Sequence, residues 1–225
     1  SVDLSVTDPP FGIEADKFHR QYNRNSKYVI PGYIEVPKEK YYDFSCRWIA
    51  EAERVLKPGG SLYIFSGYTN LRHILNALAE TQLLEVNHII WKFNFGMYTK
   101  SKFVSSHFHL LYFIKPGAKP TFNTFCRYTH LDRDVQGSLN YRDREDVWVI
   151  PREIKRGRMK NAAELPSQLI KKIIQYSSNK GDLVCDFFLG GFTTAKVAIG
   201  LNRQVCGFEK NPVAFSYQLH KTGYS

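Results

Sequence analysis

What most constrains this chain is that strand-like runs, tight turns and helix-like runs alternate along both of its ends. Val2–Thr7 alternates apolar and polar side chains and stops at Asp8-Pro9-Pro10, which reads as a strand ending in a rigid turn. From Tyr42 to Leu56 the apolar residues Phe44, Trp48, Ile49, Ala52, Val55 and Leu56 have helical spacing, with Pro58-Gly59-Gly60 as the stop. Ser61–Phe65 reads as a buried strand. Leu71, Ile74, Leu75, Leu78 and Ala79 mark a second helix with Thr69 as its N-cap, and Val86–Phe93 and His109–Ile114 are two more strands. The alternation resumes at Pro166, which opens a helix with Leu169, Ile170, Ile173 and Ile174 on its apolar face. Asp182–Phe188 (strand), Gly190-Gly191 (turn), Thr193–Leu201 (helix), Gln204–Phe208 (strand) and Pro212–Leu219 (helix) complete the chain. Such alternation predicts an α/β fold: a doubly wound, mainly parallel, Rossmann-like sheet.

With 225 residues, 43% of them hydrophobic and 23% charged, the chain has ordinary globular composition and room for one substantial core. The longest apolar stretches, such as Leu110–Ile114, fall far short of the ~20 residues that span a bilayer, so no membrane segment is expected. Cys46, Cys126, Cys185 and Cys206 form no CxxC pair, which indicates neither a disulfide framework nor a zinc site and fits a reducing cytoplasm. His107 and His109 flank a strand start with no carboxylate or thiol nearby in sequence, so we expect a structural or surface role rather than metal binding. Trp91 and Trp148 lie in apolar runs and read as core. Ser1–Thr7 looks like a strand entered mid-stride, which leads us to expect further sequence upstream.

The net charge is +10, and its location matters more than its size. Between Lys92 and Lys160 stand fourteen Lys/Arg against six acids, interleaved with Phe and Tyr. A cationic face with exposed aromatics suits a polyanion, because phosphates attract Lys and Arg and release counterions. The alternative is a solvated basic surface that keeps the protein soluble. Gly12–Lys40 is long, polar and aperiodic, and reads as either a functional, mobile loop or a disordered surface loop.

Two constellations carry chemistry. Asp8-Pro9-Pro10-Phe11 sits at the carboxyl end of a strand, where ligands bind in open α/β sheets. A carboxylate, proline carbonyls with no competing local N–H, and a flat ring suit a planar group bearing an exocyclic amine. A proline turn with a buried Phe is the structural alternative. The second constellation is Asp186-Phe187-Phe188-Leu189-Gly190-Gly191-Phe192-Thr193-Thr194, running strand, glycine turn, helix. Glycines admit a ligand close to the backbone, and the acid Glu209 ends the next strand at the spacing that grips ribose hydroxyls. The turn is not GxGxxG, which argues against a nicotinamide dehydrogenase.

Taken together, DPPF (Asp8–Phe11), LKPGGSLYIF (Leu56–Phe65), IIWKFNF (Ile89–Phe95), DFFLGGFTTA (Asp186–Ala195) and GFEKNP (Gly207–Pro212) resemble the β-class DNA amino-methyltransferases in their permuted motif order. The Asp at the head of DPPF is most like the adenine-N6 branch, whereas the cytosine-N4 branch more often has Ser there. The resemblance implies S-adenosylmethionine as cofactor, no metal, and methyl transfer to the N6 amine of an adenine flipped from double-stranded DNA. It implies that Asp8, Pro9, Pro10 and Phe11 are catalytic, and that Asp186, Phe188, Gly190, Gly191, Thr193, Thr194, Glu209 and Pro166 hold the cofactor. The basic segment, including Lys100, Lys102, Arg127, Arg142, Arg144, Arg156 and Arg158, is expected to engage DNA. The loop 12–40, with Lys17, Arg20, Arg24 and Lys27, is expected to close over the flipped base.

These readings divide the chain into a catalytic half (1–115), a basic target-recognition insertion (116–160) and a cofactor half (161–225). A cognate restriction endonuclease and a homodimer stay open as partners. Three departures from the family pattern set further expectations. Phe192 stands where the family has a small residue and is expected to crowd the cofactor. Asn161–Pro166 retains only the final Pro of the family's motif there. The family's strand and Asp ahead of the catalytic motif would lie upstream of Ser1. A cytosine-N4 methyltransferase, and a DNA-binding protein on an impaired methyltransferase scaffold, are the alternatives; an enzyme acting on RNA or protein fits the permuted order less well.

Overall fold

A computed structural model of the chain describes residues 1–12, 36–94, 96, 98, 100–153 and 164–222. The elements run β1 (Val2–Thr7), α1 (Tyr41–Val55), β2 (Leu56–Ser66), α2 (Leu71–Ala79), β3 (Leu84–Lys92) and β4 (His107–Ile114). They continue as β5 (Arg133–Asp134), β6 (Gly137–Ser138), α3 (Leu139–Asp143), β7 (Val147–Val149), α4 (Ser167–Ser177), β8 (Leu183–Asp186), α5 (Thr193–Gly200), β9 (Gln204–Gly207) and α6 (Pro212–Thr222). Seven strands form one sheet in the order β7-β3-β4-β2-β1-β8-β9, while β5 and β6 form a separate hairpin. Every pairing in the large sheet is parallel except the two made by β4, which runs against β2 and β3.

Period-two alternation assigns the strand residues to two cores. Leu4, Val6, Tyr63, Phe65, Leu110 and Tyr112 face α4 and α5, where Leu169, Ile170, Ile173, Ile174 and Ala198 meet them. Leu62, Ile64, Leu111 and Phe113 face α1 and α2, against Trp48, Ile49, Ala52, Ile74 and Leu78. Trp91 and Trp148 are buried in the first core. Tyr63 and Tyr112, partners across β2 and β4, stack with ring centres 4.3 Å apart, and the Tyr63 hydroxyl lies 2.8 Å from Ser177 Oγ.

Local reading misses two features. Pro58-Gly59-Gly60 does not separate helix from strand but lies inside β2. Between the pairs Val2–Leu56 and Leu4–Ser61, β2 spends four residues where β1 spends one, so the segment is a bulge. The Gly59 N–H and the Gly60 carbonyl both bond the Lys115 backbone, and Gly59 takes the left-handed φ of 76° that the bulge requires. The N-cap position of α2 belongs to Asn70, not Thr69, and its side chain makes no cap hydrogen bond because it is used elsewhere. No helix among the described residues is long and apolar enough to cross a membrane.

The stretch expected as an insertion is tied into the sheet. It supplies β7 as the partner of β3, and Asn123 bonds the end of α4 through Tyr176 and Gln175 carbonyls. Its anchor is buried and ionic. Asp143 receives Arg127 at 3.2 Å, Lys172 at 3.4 Å and the Tyr176 hydroxyl at 2.8 Å. Lys172 also lies 4.2 Å from the Trp148 ring centre, and burial lowers its pKa to about 8 against the pull of Asp143. Removing one member of such a cluster strands the others. Asp143→Ala is therefore expected to lose about 3 kcal/mol in urea unfolding. Arg142→Ala, which breaks the more exposed pair with Asp134, should cost less than about 1 kcal/mol.

Candidate active site

β1 is the point from which the chain winds outward in both directions, with β2 on one side and β8 on the other. A crevice opens at the carboxyl ends of strands at such a switch point. Here it is a cavity of about 810 Å³ whose walls include the DPPF turn, the β8–α5 loop, the β9–α6 loop and the first turns of α1. Asp8, Pro9, Pro10 and Phe11 all line it, as do Asp186, Phe188, Gly190, Gly191, Thr193, Thr194 and Glu209. Pro166 is the N-cap of α4 and does not line the cavity, whereas its neighbours Glu164 and Leu165 do.

The DPPF turn is pinned from two helices. Tyr41 Oη donates to the Pro10 carbonyl at 2.9 Å, and Asn70 Nδ2 donates to the carbonyls of Phe11 (2.7 Å) and Gly12 (3.1 Å). Of the two proline carbonyls expected to face a ligand, that of Pro10 is therefore spent on the fold. Among the described residues no hydrogen bond engages the carbonyl of Pro9. Phe11 stands edge-on to Phe108 at 5.1 Å and rests on Gly67, where an added Cβ would come within 3.2 Å of its ring.

Two aspartates meet at the cavity floor. One oxygen of Asp8, Oδ1, is shut off from solvent without a hydrogen-bond partner. Burial, and then the charge of Asp186, push the Asp8 pKa from 3.8 up to about 7, opposed by Arg152. Asp186 is buried and accepts the Phe188 N–H at 2.9 Å; burial lifts its pKa to about 6, with the Thr194 hydroxyl and that amide pulling the other way. The β8 and β9 loops are laced together: Phe208 N–H to Asp186 O, Leu189 N–H to Phe208 O, and Gly190 N–H to Glu209 Oε2 at 2.9 Å. Glu209 Oε1 also accepts Asn211 N–H at 2.8 Å. Each oxygen keeps a second lone pair for a ligand hydroxyl. A Cβ on Gly191 would lie 2.7 Å from Glu164 Oε1, so glycine there lets Glu164 form the wall.

Phe192 corrects an expectation. It adopts φ of 59°, a left-handed conformation, and buries its ring against Leu189, Ala195 and Phe215 instead of crowding the cavity. The seven expected DNA contacts separate. Lys100 and Lys102 lie exposed on the β3–β4 loop, with Lys102 Nζ 3.3 Å from the Tyr68 hydroxyl. Arg144 is exposed and bonds the Asn140 carbonyl. Arg127 is held in the Asp143 cluster and Arg142 by Asp134 and Gln136, so their charges are internally engaged. Arg156 and Arg158, the loop cations Lys17, Arg20, Arg24 and Lys27, and the first half of the 161–166 motif lie outside the described residues. His109 Nδ1 meets His88 Nε2 at 2.8 Å with His107 alongside, and among the described residues no cluster of three or more His, Cys, Asp or Glu could hold a metal.

A model of the N6/N4 methyltransferase family, described as DNA methylase, matches residues 2–218. The chain belongs to this DNA methylase family. It is 31% identical to the DNA adenine methyltransferase YhdJ of Escherichia coli K12, over 94% of this chain and 72% of that protein. It is 30% identical to the type II methyltransferase M.BamHI of Bacillus amyloliquefaciens, over 93% of this chain and 50% of that one. The chain thus spans between half and about three quarters of these relatives' length. In fold it is similar to a DNA modification methylase of Thermus thermophilus solved with S-adenosyl-L-methionine (TM-score 0.71, 22% identity, 98% of this chain and 85% of that one). The cytosine-N4-specific PvuII DNA methyltransferase gives the same TM-score of 0.71 at 18% identity, covering 97% and 79%.

Tyr41, Asn70, Gly67 and Glu164 were not legible as site residues of this DNA methylase, because each acts through a partner distant in sequence. The raised pKa of Asp8 also has a stability consequence. Between about pH 4 and pH 7 the folded chain holds a proton on Asp8 that the unfolded chain has released, so folding loses free energy as pH rises, and the loss is complete above pH 7. Asp8→Asn removes that loss. It should stabilise the chain on the order of 2 kcal/mol at pH 8, after discounting for partial exposure, with the gain shrinking at pH 5 in paired urea titrations.

Proposed function

We propose that this chain carries the catalytic core of an S-adenosylmethionine-dependent DNA methyltransferase acting on the N6 amine of adenine. The observation that carries the reading is the shared cavity: Asp8 with an unpartnered oxygen and the Pro9 carbonyl on one side, the Gly190–Glu209 cradle on the other. The cavity residues fit such a cofactor. Two buried carboxylates whose proton affinity is raised welcome a cation, and the Glu209 oxygens suit a ribose diol. When bound, S-adenosylmethionine supplies an electrophilic methyl group on a positively charged sulfur.

The residues of the chain do the rest. An exocyclic amine is a weak nucleophile because its lone pair is delocalised into the ring. Asp8 and the Pro9 carbonyl accept its two N–H bonds, which favours a pyramidal nitrogen as charge develops on it. Asp8, whose pKa is near 7, would take up the proton that the amine gives up as the methyl leaves its sulfur for the nitrogen, and hand it on to water. Phe11 offers a ring face to the base, offsetting part of the few kcal/mol that flipping costs. Lys100, Lys102 and Arg144 are exposed cations that would meet phosphates, and Arg156 and Arg158 belong to the same proposal. A cognate endonuclease partner and dimerisation also stand as proposals, the first supported by the type II relatives.

The adenine reading is supported by Asp at the head of DPPF and by the likeness to YhdJ. The cytosine-N4 reading stays as the alternative, because the fold is shared with the cytosine-N4-specific PvuII enzyme. Labelled methyl transfer to unmodified DNA followed by base analysis separates them: N6-methyladenine supports the proposal and N4-methylcytosine replaces it. Asp8→Ala should abolish transfer while cofactor binding persists, and Asp186→Ala should lose binding in calorimetry.

A pH dependence follows from the two carboxylates. A cation binds best when both are ionised, so binding must release protons between pH 6 and pH 8. Affinity for S-adenosylmethionine should tighten several-fold over that range, and the binding heat should depend on the buffer's ionisation enthalpy. The uncharged thioether product should show a weaker trend; equal trends for both ligands would contradict the charge argument.

A further inference from the structure

Just beyond β7 the chain crosses the carboxyl edge of the sheet. Ile150 N–H bonds the Lys92 carbonyl at 3.1 Å, and the Ile150 carbonyl accepts Trp91 Nε1 at 2.8 Å, which fixes the backbone two residues before Arg152. The Arg152 guanidinium carbon lies 4.3 Å from the Phe93 ring centre, 5.0 Å from Phe108 and 5.8 Å from Trp91. Those rings touch one another, with centres 5.2–5.8 Å apart, and so form a box. A fourth ring, Phe11 of the DPPF turn, stands against Phe108. The box therefore links Arg152 to the catalytic turn through packed side chains. Aromatic faces hold a cation without neutralising it, and a stacked guanidinium retains little rotamer freedom.

Several charged groups face the region of Asp8. Asp186 comes from β8 and Arg152 from the segment after β7. Lys40, Asp43 and Arg47 line the cavity from the α1 side, and Glu164, Glu209 and Lys210 from the cofactor side. Of these, the charge of Asp186 raises the proton affinity of Asp8 and that of Arg152 lowers it.

We propose that Arg152 is a positioning residue for the reaction: the Trp91–Phe93–Phe108 box holds its guanidinium so that Asp8 is kept as a carboxylate, able to accept the amine of the incoming base. Arg152 keeps its other contacts in this role. The inference rests on the function proposed above, because it assumes that Asp8 is the amine acceptor. A carboxylate sharing the cavity floor with Asp186 stays ionised more readily when a cation opposes that charge, and the ring box fixes Arg152 beside the catalytic turn to do so.

The test compares Arg152→Gln, Arg152→Met and Arg152→Lys by labelled methyl transfer to unmodified DNA between pH 6 and pH 9. Calorimetric binding of S-adenosylmethionine at pH 8.5 serves as the folding control. Gln and Met should lower transfer on the order of tenfold more at pH 6.5 than at pH 8.5, as the acid limb of the profile moves upward, and Lys should keep most of the limb. Equal losses for all three variants at every pH would overturn the proposal and leave Arg152 as packing for the rings. A second readout needs no activity. At pH 8, Arg152→Gln should lower Tm more in the Asp8 chain than in the Asp8→Asn chain, and equal losses in the two backgrounds would also overturn it. A wild-type chain inactive at every pH would refute the proposed function, while the Tm comparison would still decide whether Arg152 acts on Asp8.

Discussion

β1 and β8 lie side by side and parallel, with Leu4 opposite Val184 and Ser5 opposite Cys185. Each strand leads to an aspartate at its carboxyl end, so this one pairing brings Asp8 and Asp186 to the same cavity floor. Everything else in the site depends on that pairing. The helices above and below the sheet hold the two strands by buried apolar side chains, and the loops leaving the strand ends build the cavity walls. The cost is electrostatic, since two carboxylates share a poorly solvated space and each holds its proton longer than it would in water. A fold that accepts this cost carries a site that is completed only by positive charge, whether from a ligand or from a side chain such as Arg152.

The backbone around Asp8 has to stay rigid for that charge arrangement to have direction. Two prolines restrict the turn, and Tyr41 and Asn70 take up the carbonyls of Pro10, Phe11 and Gly12. What remains for a ligand is narrow: one carboxylate and one carbonyl, an arrangement matched to a group with two N–H bonds. Preorganisation of this kind means the acceptors need no rearrangement as charge develops, which is where electrostatic catalysis gains most. On the cofactor side the lacing of the β8 and β9 loops does the same for Glu209.

Much of this was legible in the sequence, for a physical reason. Strand and helix periodicity reflect burial against a sheet that is covered on both faces, so β1, α1, α4 and the β8-turn-α5 unit could be read locally. The features that escaped depend on distant partners. Asn70 looks like a residue at a helix start, yet its amide serves the turn 58 residues earlier. The glycines after Pro58 look like a helix stop until Lys115 pairs with them. Arg127 looks like a phosphate ligand until Asp143 and Lys172 close around it. Phe192 looks obstructive because its left-handed backbone, which turns the ring into the core, carries no sequence signal in a non-glycine residue. Charge counts along a chain locate a basic segment but cannot separate free cations from spent ones.

The division of labour in the cavity bears on which base is modified. An exocyclic amine next to a ring nitrogen is common to adenine and cytosine, so in the role proposed for them Asp8 and the Pro9 carbonyl would treat the two alike. The fold does not discriminate either, since the same sheet is similar to a cytosine-N4-specific enzyme. Discrimination must then come from groups that meet the rest of the ring, and the candidates are the walls beside Phe11 rather than the cofactor cradle. Phe108 backs Phe11 edge-on, with Phe93 and Arg152 packed behind it. A larger bicyclic base needs that wall set back and a smaller one needs it advanced, with the amine held in the same position. In the role proposed for Arg152, the rings that back Phe11 also hold the counter-cation, so a change in their packing that suits another base would reach Asp8 as well.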